Sequence, residues 1–370
     1  MKKIFLTVIQ IASTSLLLWL MFRDPAKRAE MAGALRTADF LWLIPGIASI
    51  GLAHVLQTER WRILMKVQGI DMAWWRAFRV FLSGAFFNLF LPGGTGGDVL
   101  NPYYAMRETA SKKSAAFLSV LIDRMMGLIA MAVVAAVLCS FRLQLIWDCR
   151  ATQDYPHPQQ TLFAAVNSGD AWTWLKFHPP QTLTLLLAAI LGASLALIVT
   201  RFLVDRFHLA KKLPSWLPLH GKIIELSAAF STYARSPGVL AQAFGLSLPA
   251  HLFNFLAFYF AARAFGIFQG FSGFVDVFAV LPIIMTIASL PISMAGLGVR
   301  EELFKNVFGP LFDTDPGIAT MISLTGFSLV VFWGLVGGLV YLTYRPSGGL
   351  HLTEVEKEVE EIGQSIEKEA

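Results

Sequence analysis

Charge is scarce in this chain. Charged residues make up 15% of its 370 residues, while 55% are apolar; an ordinary soluble domain carries about 25% charged residues. That balance, with a mean hydropathy of +0.59, excludes a disordered chain and a typical soluble enzyme. Cysteine is nearly absent too. Cys139 and Cys149 are the whole complement, too few for a metal cluster or a disulfide framework. The sequence also lacks His-Glu-x-x-His, Gly-x-Ser-x-Gly and paired CxxC motifs, so neither a metal nor another cofactor is expected. Gly93-Gly94-Thr95-Gly96-Gly97 lacks the Lys-Ser/Thr of a P-loop and the spacing of a dinucleotide fingerprint. Its free amides still suit a phosphate.

What is abundant is uninterrupted apolar sequence. Charge-free windows cover Ile4–Phe22, Phe40–Thr58, Val80–Gly97, Met125–Phe141, Gln181–Thr200, Ser236–Ala262, Val277–Val299 and Gly317–Tyr344. A helix needs about 20 residues to cross a hydrocarbon core of about 30 Å. The expected fold is therefore all-α, a polytopic integral membrane protein. Residues 1–345 form its membrane domain, in halves of about 1–141 and 181–345 joined by a polar loop, 142–180. Lys2-Lys3 before the first window reads as the start of a retained span, with a cleaved signal peptide as the lesser alternative.

Net charge is +5, yet the tail at 346–370 is acidic, and its Glu354–Ala370 stretch holds seven acids and two lysines; outside that stretch 28 basic residues face 18 acidic ones. The tail also spaces Leu352, Val355, Val359, Ile362 and Ile366 as an amphipathic helix would. The segment 211–235 offers an interfacial helix. Basic clusters set the orientation: Arg60, Arg62, Lys66, Arg76 and Arg79 after the second window, Arg107, Lys112 and Lys113 after the third, and Arg201 to Arg235 after the fifth. Positive-inside bias explains these charges better than nucleic acid does. With all three clusters cytoplasmic, the third window enters and leaves on one side, and both termini face the cytoplasm of a cell membrane.

The third window ends Asn88-Leu-Phe-Leu-Pro92-Gly93-Gly94-Thr95-Gly96-Gly97-Asp98, which cannot continue as a helix. The seventh has the same design in Leu290-Pro291 through Gly296-Leu-Gly298-Val-Arg300-Glu301. Pro92 precedes Ala116 by 24 residues, and Pro291 precedes Gly317 by 26. The order span, span, broken element, span thus recurs, giving about six spans and two re-entrant elements in an inverted repeat. Eight plain spans remain the alternative.

Broken backbone at membrane depth needs protein or a watery cavity to satisfy it. Asn88, Asp98 and Asn101 would border such a cavity from one element, and Arg300 and Glu301 from the other. Asp123 and Arg124 lie within the fourth helix, where charge is costly and usually has a partner or a task. Neighbours on a helix point about 100° apart, so these two need separate partners. Plainer readings stand beside these. Asp98 caps a helix starting near Val99; Asn88 bonds a freed carbonyl; Asp123 and Arg124 join an interfacial ion-pair network; Arg300 and Glu301 are surface groups at a mouth. Arg60 and Trp61 read as interfacial anchors, and His251 with Asn254 as glue between helices.

Together, Phe86-Phe87-Asn88, Leu91-Pro92-Gly93, Gly96-Gly97-Asp98, Asp123-Arg124 with Gly127, and Pro291 through Gly296-x-Gly298-Val-Arg300-Glu301 resemble the transmembrane region of lysylphosphatidylglycerol synthases. That region also occurs alone in flippase-like proteins. The resemblance covers about Lys3 to Arg345 and implies a membrane domain that handles lipids between leaflets. Two departures stand out. The family commonly has an arginine three residues after the glycine-glycine-aspartate; here that position is Asn101, with Arg107 as a possible substitute. The synthases also carry a soluble aminoacyl-transferase domain, whereas 25 residues follow Arg345 here, so lysyl transfer is not expected of this chain.

The expected function is a flippase or scramblase, not an enzyme. It would move an anionic phospholipid or polyprenyl-linked lipid through a polar groove between the inverted halves. Arg300 and Arg124 would bind phosphate. Asn88, Asn101 and the amides of Gly93, Gly94, Gly96 and Gly97 would donate hydrogen bonds. Asp98, Asp123 and Glu301 would pair with the cations or carry protons. The rival is a non-transporting, lipid-binding partner of a lipid- or envelope-synthesis enzyme.

Overall fold

The computed structural model describes residues 25–90, 113–140, 235–267, 270–288 and 293–343, with Trp19, Asn101, Leu185, Thr232 and Tyr233 besides. Residues 142–180, Gly93–Asp98, Pro291 and the tail lie outside these, as do nearly all of the first and fifth windows and of 211–235. Among the described residues every element is helical: α1 (Pro25–Thr37), α2 (Leu43–Val67), α3 (Trp74–Phe90), α4 (Lys113–Ser140), α5 (Pro237–Ala264), α6 (Gly270–Ala288), α7 (Val299–Leu303) and α8 (Pro316–Thr343). This is a polytopic membrane protein. Four runs among the described residues are long and apolar enough to cross a bilayer: Phe40–Val67, Ala115–Leu138, Pro237–Ala264 and Pro316–Thr343. At 1.5 Å per residue, 28 residues reach about 42 Å.

Local chemistry sets the helix ends. Asp39 accepts from the Leu41 amide and starts a 3-10 turn, Phe40–Trp42, leading into α2. Past the end of α2, Ile70 N–H reaches Met65 O and Gly69 N–H reaches Lys66 O, the paired bonds that satisfy a helix's last carbonyls. Asp315 caps α8 through the amides of Gly317 and Ile318. The sixth and eighth windows match α5 and α8 within two residues. The third, fourth and seventh begin six to twelve residues after the starts of α3, α4 and α6, and the second ends early: α2 continues nine residues past Thr58, through Glu59-Arg60-Trp61-Arg62. Arg60, Arg62 and Lys66 therefore belong to the helix, where the charge count had set them in a connecting segment. Buried Thr58, Trp61, Leu64 and Met65 extend its inward face beyond the charge-free stretch.

The chain divides into two compact units. One comprises Met1–Ile50, Met131–Ala193 and His251–Val331; the other comprises Gly51–Ala130, Ser194–Ala250 and Phe332–Ala370. The core of the first is largely aromatic. Phe274 stacks on Phe278 with centroids 4.2 Å apart, Phe258 meets Phe304 at 5.9 Å, and Phe304 meets Phe308 at 5.2 Å. The second packs Trp61, Met65, Ile70, Met72, Val80, Phe87 and Val120 around the small Ala77 and Ala116. Helices approach closely in this unit. A methyl group added at Gly337 of α8 would stand 2.0 Å from the Leu82 carbonyl oxygen of α3, a separation that only glycine permits.

Candidate functional site: two buried guanidinium clusters

The first cluster is built by α2, α4 and α5. Arg60 points inward from α2 and is 6% exposed. Its Nε donates to Asp123 Oδ1 at 2.6 Å and its Nη2 to Asp123 Oδ2 at 2.8 Å, a two-pronged ion pair. Its Nη1 donates to Ser247 Oγ of α5 at 2.9 Å. Ser247 in turn donates to the Ala243 carbonyl at 2.8 Å. The planar guanidinium matches a carboxylate in this geometry, which a lysine could not reproduce. Gly127 lies one turn after Asp123 on α4; a Cβ there would come within 3.2 Å of Arg60 Nη1. Nearby, Tyr233 donates to the Leu64 carbonyl at 2.9 Å.

The second cluster grows from the broken stretch after α6. A 3-10 turn, Met294–Gly296, precedes α7, and Ala295, Gly296 and Gly298 have φ of 49°, 74° and 84°. Left-handed backbone favours glycine, and Gly296 is constrained twice: a Cβ there would stand 2.7 Å from the Ala288 carbonyl oxygen at the end of α6. This explains the Gly-x-Gly of the motif. The Gly298 amide donates to Glu301 Oε2. Arg300 Nη2 donates to Glu301 Oε1 at 2.6 Å, and Arg300 Nε donates to Ser323 Oγ of α8 at 3.0 Å. Ser323 closes the ring by donating to Glu301 Oε1 at 2.9 Å. The guanidinium carbon lies 4.1 Å from the Phe327 ring centroid, a cation–π distance. Both carboxylate oxygens are occupied. Among the described residues, Arg300 Nη1 has no hydrogen-bond partner. A π-helical turn, Phe304–Phe308, follows α7.

The predicted site residues therefore fall into groups. Arg300 and Glu301 come together. Asp123 and Arg124 do not pair: Asp123 is spent on Arg60, and Arg124 is on the exposed side of α4. Asn88 is half-buried on α3. Asn101 is buried against Gly84 of α3, and its Oδ1 has no partner among the described residues. Gly93, Gly94, Gly96, Gly97 and Asp98 lie outside the described residues. Arg60, Ser247 and Ser323 are additions. Arg60 is not an interfacial anchor, because its charge is buried and fully matched. The register of buried Ala53 and Leu64, seven residues before it and four after it, would have exposed it as an inward position.

Apolar membrane helices that bury matched arginine–carboxylate–serine sets, one of them on interrupted backbone, define an integral membrane protein with polar groups held inside its bundle. The chain matches the lysylphosphatidylglycerol synthase TM region over residues 6–337 and belongs to that family. It is a lipid-related membrane protein. No curated protein matches it.

Proposed function

We propose that this chain carries lipid between leaflets and performs no chemistry on it. The cargo is an anionic phospholipid or a polyprenyl-linked lipid; its headgroup passes along polar residues while its hydrocarbon stays in the bilayer. The observation that carries this reading is Arg300. It is a buried cation directly after interrupted backbone with donor capacity to spare, and charge kept at membrane depth usually serves transport or binding. Glu301 and Ser323 hold the guanidinium in place when no lipid is present. An arriving phosphate takes up the remaining N–H groups, and Glu301 retains the Gly298 and Ser323 donors. The re-entrant form of the two broken elements, with the basic clusters and both termini cytoplasmic, belongs to this reading.

The test is transfer in liposomes holding purified protein and a panel of fluorescent anionic, neutral and polyprenyl lipids. A membrane-impermeant quencher reports how much label changes leaflet. The expected result is transfer of one anionic class, reduced at least about tenfold in Arg300→Ala and partly kept in Arg300→Lys; tenfold corresponds to about 1.4 kcal/mol, just under the roughly 1.5–3 kcal/mol of a charged hydrogen bond. Normal transfer by Arg300→Ala sinks the assignment.

A further inference from the structure

On its own the Arg300–Glu301 cluster carries no net charge. Arg300 and Glu301 are 4% and 2% exposed, and their ion pair at 2.6 Å sets one charge against one. A lipid phosphodiester brings a second negative charge to the same place. The surroundings are apolar: the Phe327 and Phe258 ring centroids lie 4.1 and 6.0 Å from the guanidinium carbon. An unbalanced charge buried there is costly, and a titratable group commonly neutralises itself instead. Among the described residues, few groups stand near enough to do so. Glu302 and Lys305 pair with each other at 2.8 Å at the surface. On α6, Asp276 lies twelve residues before Ala288. On α8 the titratable residue is Tyr341, 18 residues past Ser323. On α5, Tyr259 and Arg263 point away from the Phe258 face, and His251 lies on that face two turns earlier.

Glu301 itself can take a proton without stranding any partner. Its Oε1 accepts from Arg300 Nη2 and from Ser323 Oγ, and Ser323 Oγ also accepts from Arg300 Nε. A hydroxyl both donates and accepts, so this contact is reversible. A proton on Oε1 donates to Ser323 Oγ, and the serine turns its own hydrogen to the carbonyl one turn back, the usual partner of a helical serine. Oε2 keeps the Gly298 amide. Asp123 has no such freedom. Both its oxygens accept from Arg60, whose N–H groups only donate, and Ser247 bonds Arg60 and the Ala243 carbonyl. We propose that Glu301 takes up one proton as Arg300 binds a phosphodiester headgroup, so that lipid and proton cross together. An O–H bond forms at Oε1 with a proton from hydronium, and the Nη2 donor passes from Oε1 to the phosphate. Guanidinium, phosphate and neutral carboxyl again sum to zero. The inference rests on the lipid-transfer reading and adds the gradient that drives it.

The test counts protons on binding. The full chain in phosphatidylcholine nanodiscs is titrated calorimetrically with dioctanoyl phosphatidylglycerol or geranyl phosphoryl glucose, both phosphodiesters of fixed single charge. Runs in two buffers of different ionisation heat give the protons taken up per lipid. The lipid-bound site holds one proton more than the lipid-free site, so affinity should fall as pH rises, by up to about tenfold per pH unit, with uptake approaching about one proton per lipid. Glu301→Gln should bind with no proton uptake and one affinity at every pH, and Arg300→Ala should not bind. In liposomes holding a pH difference, fluorescent lipid of the class that binds should accumulate in the leaflet on the alkaline side. Binding without proton uptake at any pH overturns the proposal and leaves Arg300 as the lipid site. Uptake that persists in Glu301→Gln also overturns it, and places the proton on another group such as His251. So does equal labelling of both leaflets across the pH difference. The count on the unsubstituted chain decides the matter even where Glu301→Gln does not fold. Failure of both probes to bind removes this inference and the lipid reading together.

Discussion

Arg60 and Arg300 are both buried, and each has one carboxylate and one serine beside it, yet they are built for different ends. Arg60 draws its partners from two other helices, 63 and 187 residues away in sequence, and all three of its nitrogens donate. It joins α2, α4 and α5 as a structural tie. Arg300 draws its carboxylate from the next residue and its serine from α8. It stands at the start of α7, just after the left-handed backbone of Ala295, Gly296 and Gly298, and leaves Nη1 without a partner among the described residues. Burial and charge alone do not separate a tie from a binding group. The separation comes from counting which donors are already used and how far away their acceptors originate.

The largest effect should come from Arg60→Ala. It strands the Asp123 carboxylate in a buried position, and breaking a buried ion pair from one side costs about 3–5 kcal/mol. Thermal unfolding in detergent should show this loss, and the double variant Arg60→Leu/Asp123→Leu should recover more than half of it, because an apolar pair of similar bulk replaces the ions. Arg300→Ala should destabilise less, since Glu301 keeps its Ser323 and Gly298 donors, while removing transfer. Equal destabilisation by the two arginine substitutions would erase the distinction between tie and binding group.

Glycine substitutions sharpen the same contrast. Gly296→Ala puts an L side chain into left-handed backbone, a conformation that costs about 1–2 kcal/mol. It also presses a methyl group on the Ala288 carbonyl oxygen 2.7 Å away. The break before α7 must shift, and both stability and transfer should fall. Gly127→Ala meets only the end of the Arg60 side chain, at 3.2 Å. Its expected penalty is smaller, about 1 kcal/mol, the low end for overpacking, measured as a lower unfolding temperature at unchanged lipid selectivity.

Much of this architecture was legible in the amino-acid order because lipid enforces it. Long charge-free runs can only be helices at membrane depth, and the ends of α5 and α8 follow Pro237, Asp315 and Pro316. The interruption around Gly296 was legible because proline and glycine signal it directly, and Arg300 with Glu301 because charge rarely enters such a run. Arg60 was not legible. A charge count ends the second window at Thr58, and Glu59 and Arg62, which pair with each other at 2.9 Å, make the stretch look like a surface loop. Only the recurrence of buried Ala53 and Leu64 at helical spacing on either side of Arg60 reveals that its position faces inward. Ser247 and Ser323 were hidden for another reason: a serine in an apolar helix usually bonds its own preceding turn, and nothing in sequence says which serines also face an arginine from a distant segment.

Those serines give the smallest and most discriminating effect. Each is worth about 1 kcal/mol as a hydrogen-bond partner, so Ser247→Ala and Ser323→Ala should lower the unfolding temperature by similar amounts. Their consequences for transfer should differ. Ser247 Oγ accepts only the third donor of Arg60, whose ion pair with Asp123 survives its loss, so transfer should stay near normal. Ser323 Oγ accepts from Arg300 Nε and donates to Glu301 Oε1, so its loss frees one edge of the guanidinium and one lone pair of the carboxylate at once. Arg300 then turns more freely about its remaining bond to Glu301, and the geometry offered to a phosphate is less fixed. The expected result is a weaker dependence of transfer on headgroup class, read in the same liposome panel. If instead Ser247→Ala altered headgroup selectivity and Ser323→Ala left it untouched, Arg60 and not Arg300 would be the group that meets the lipid, and the two clusters would exchange roles.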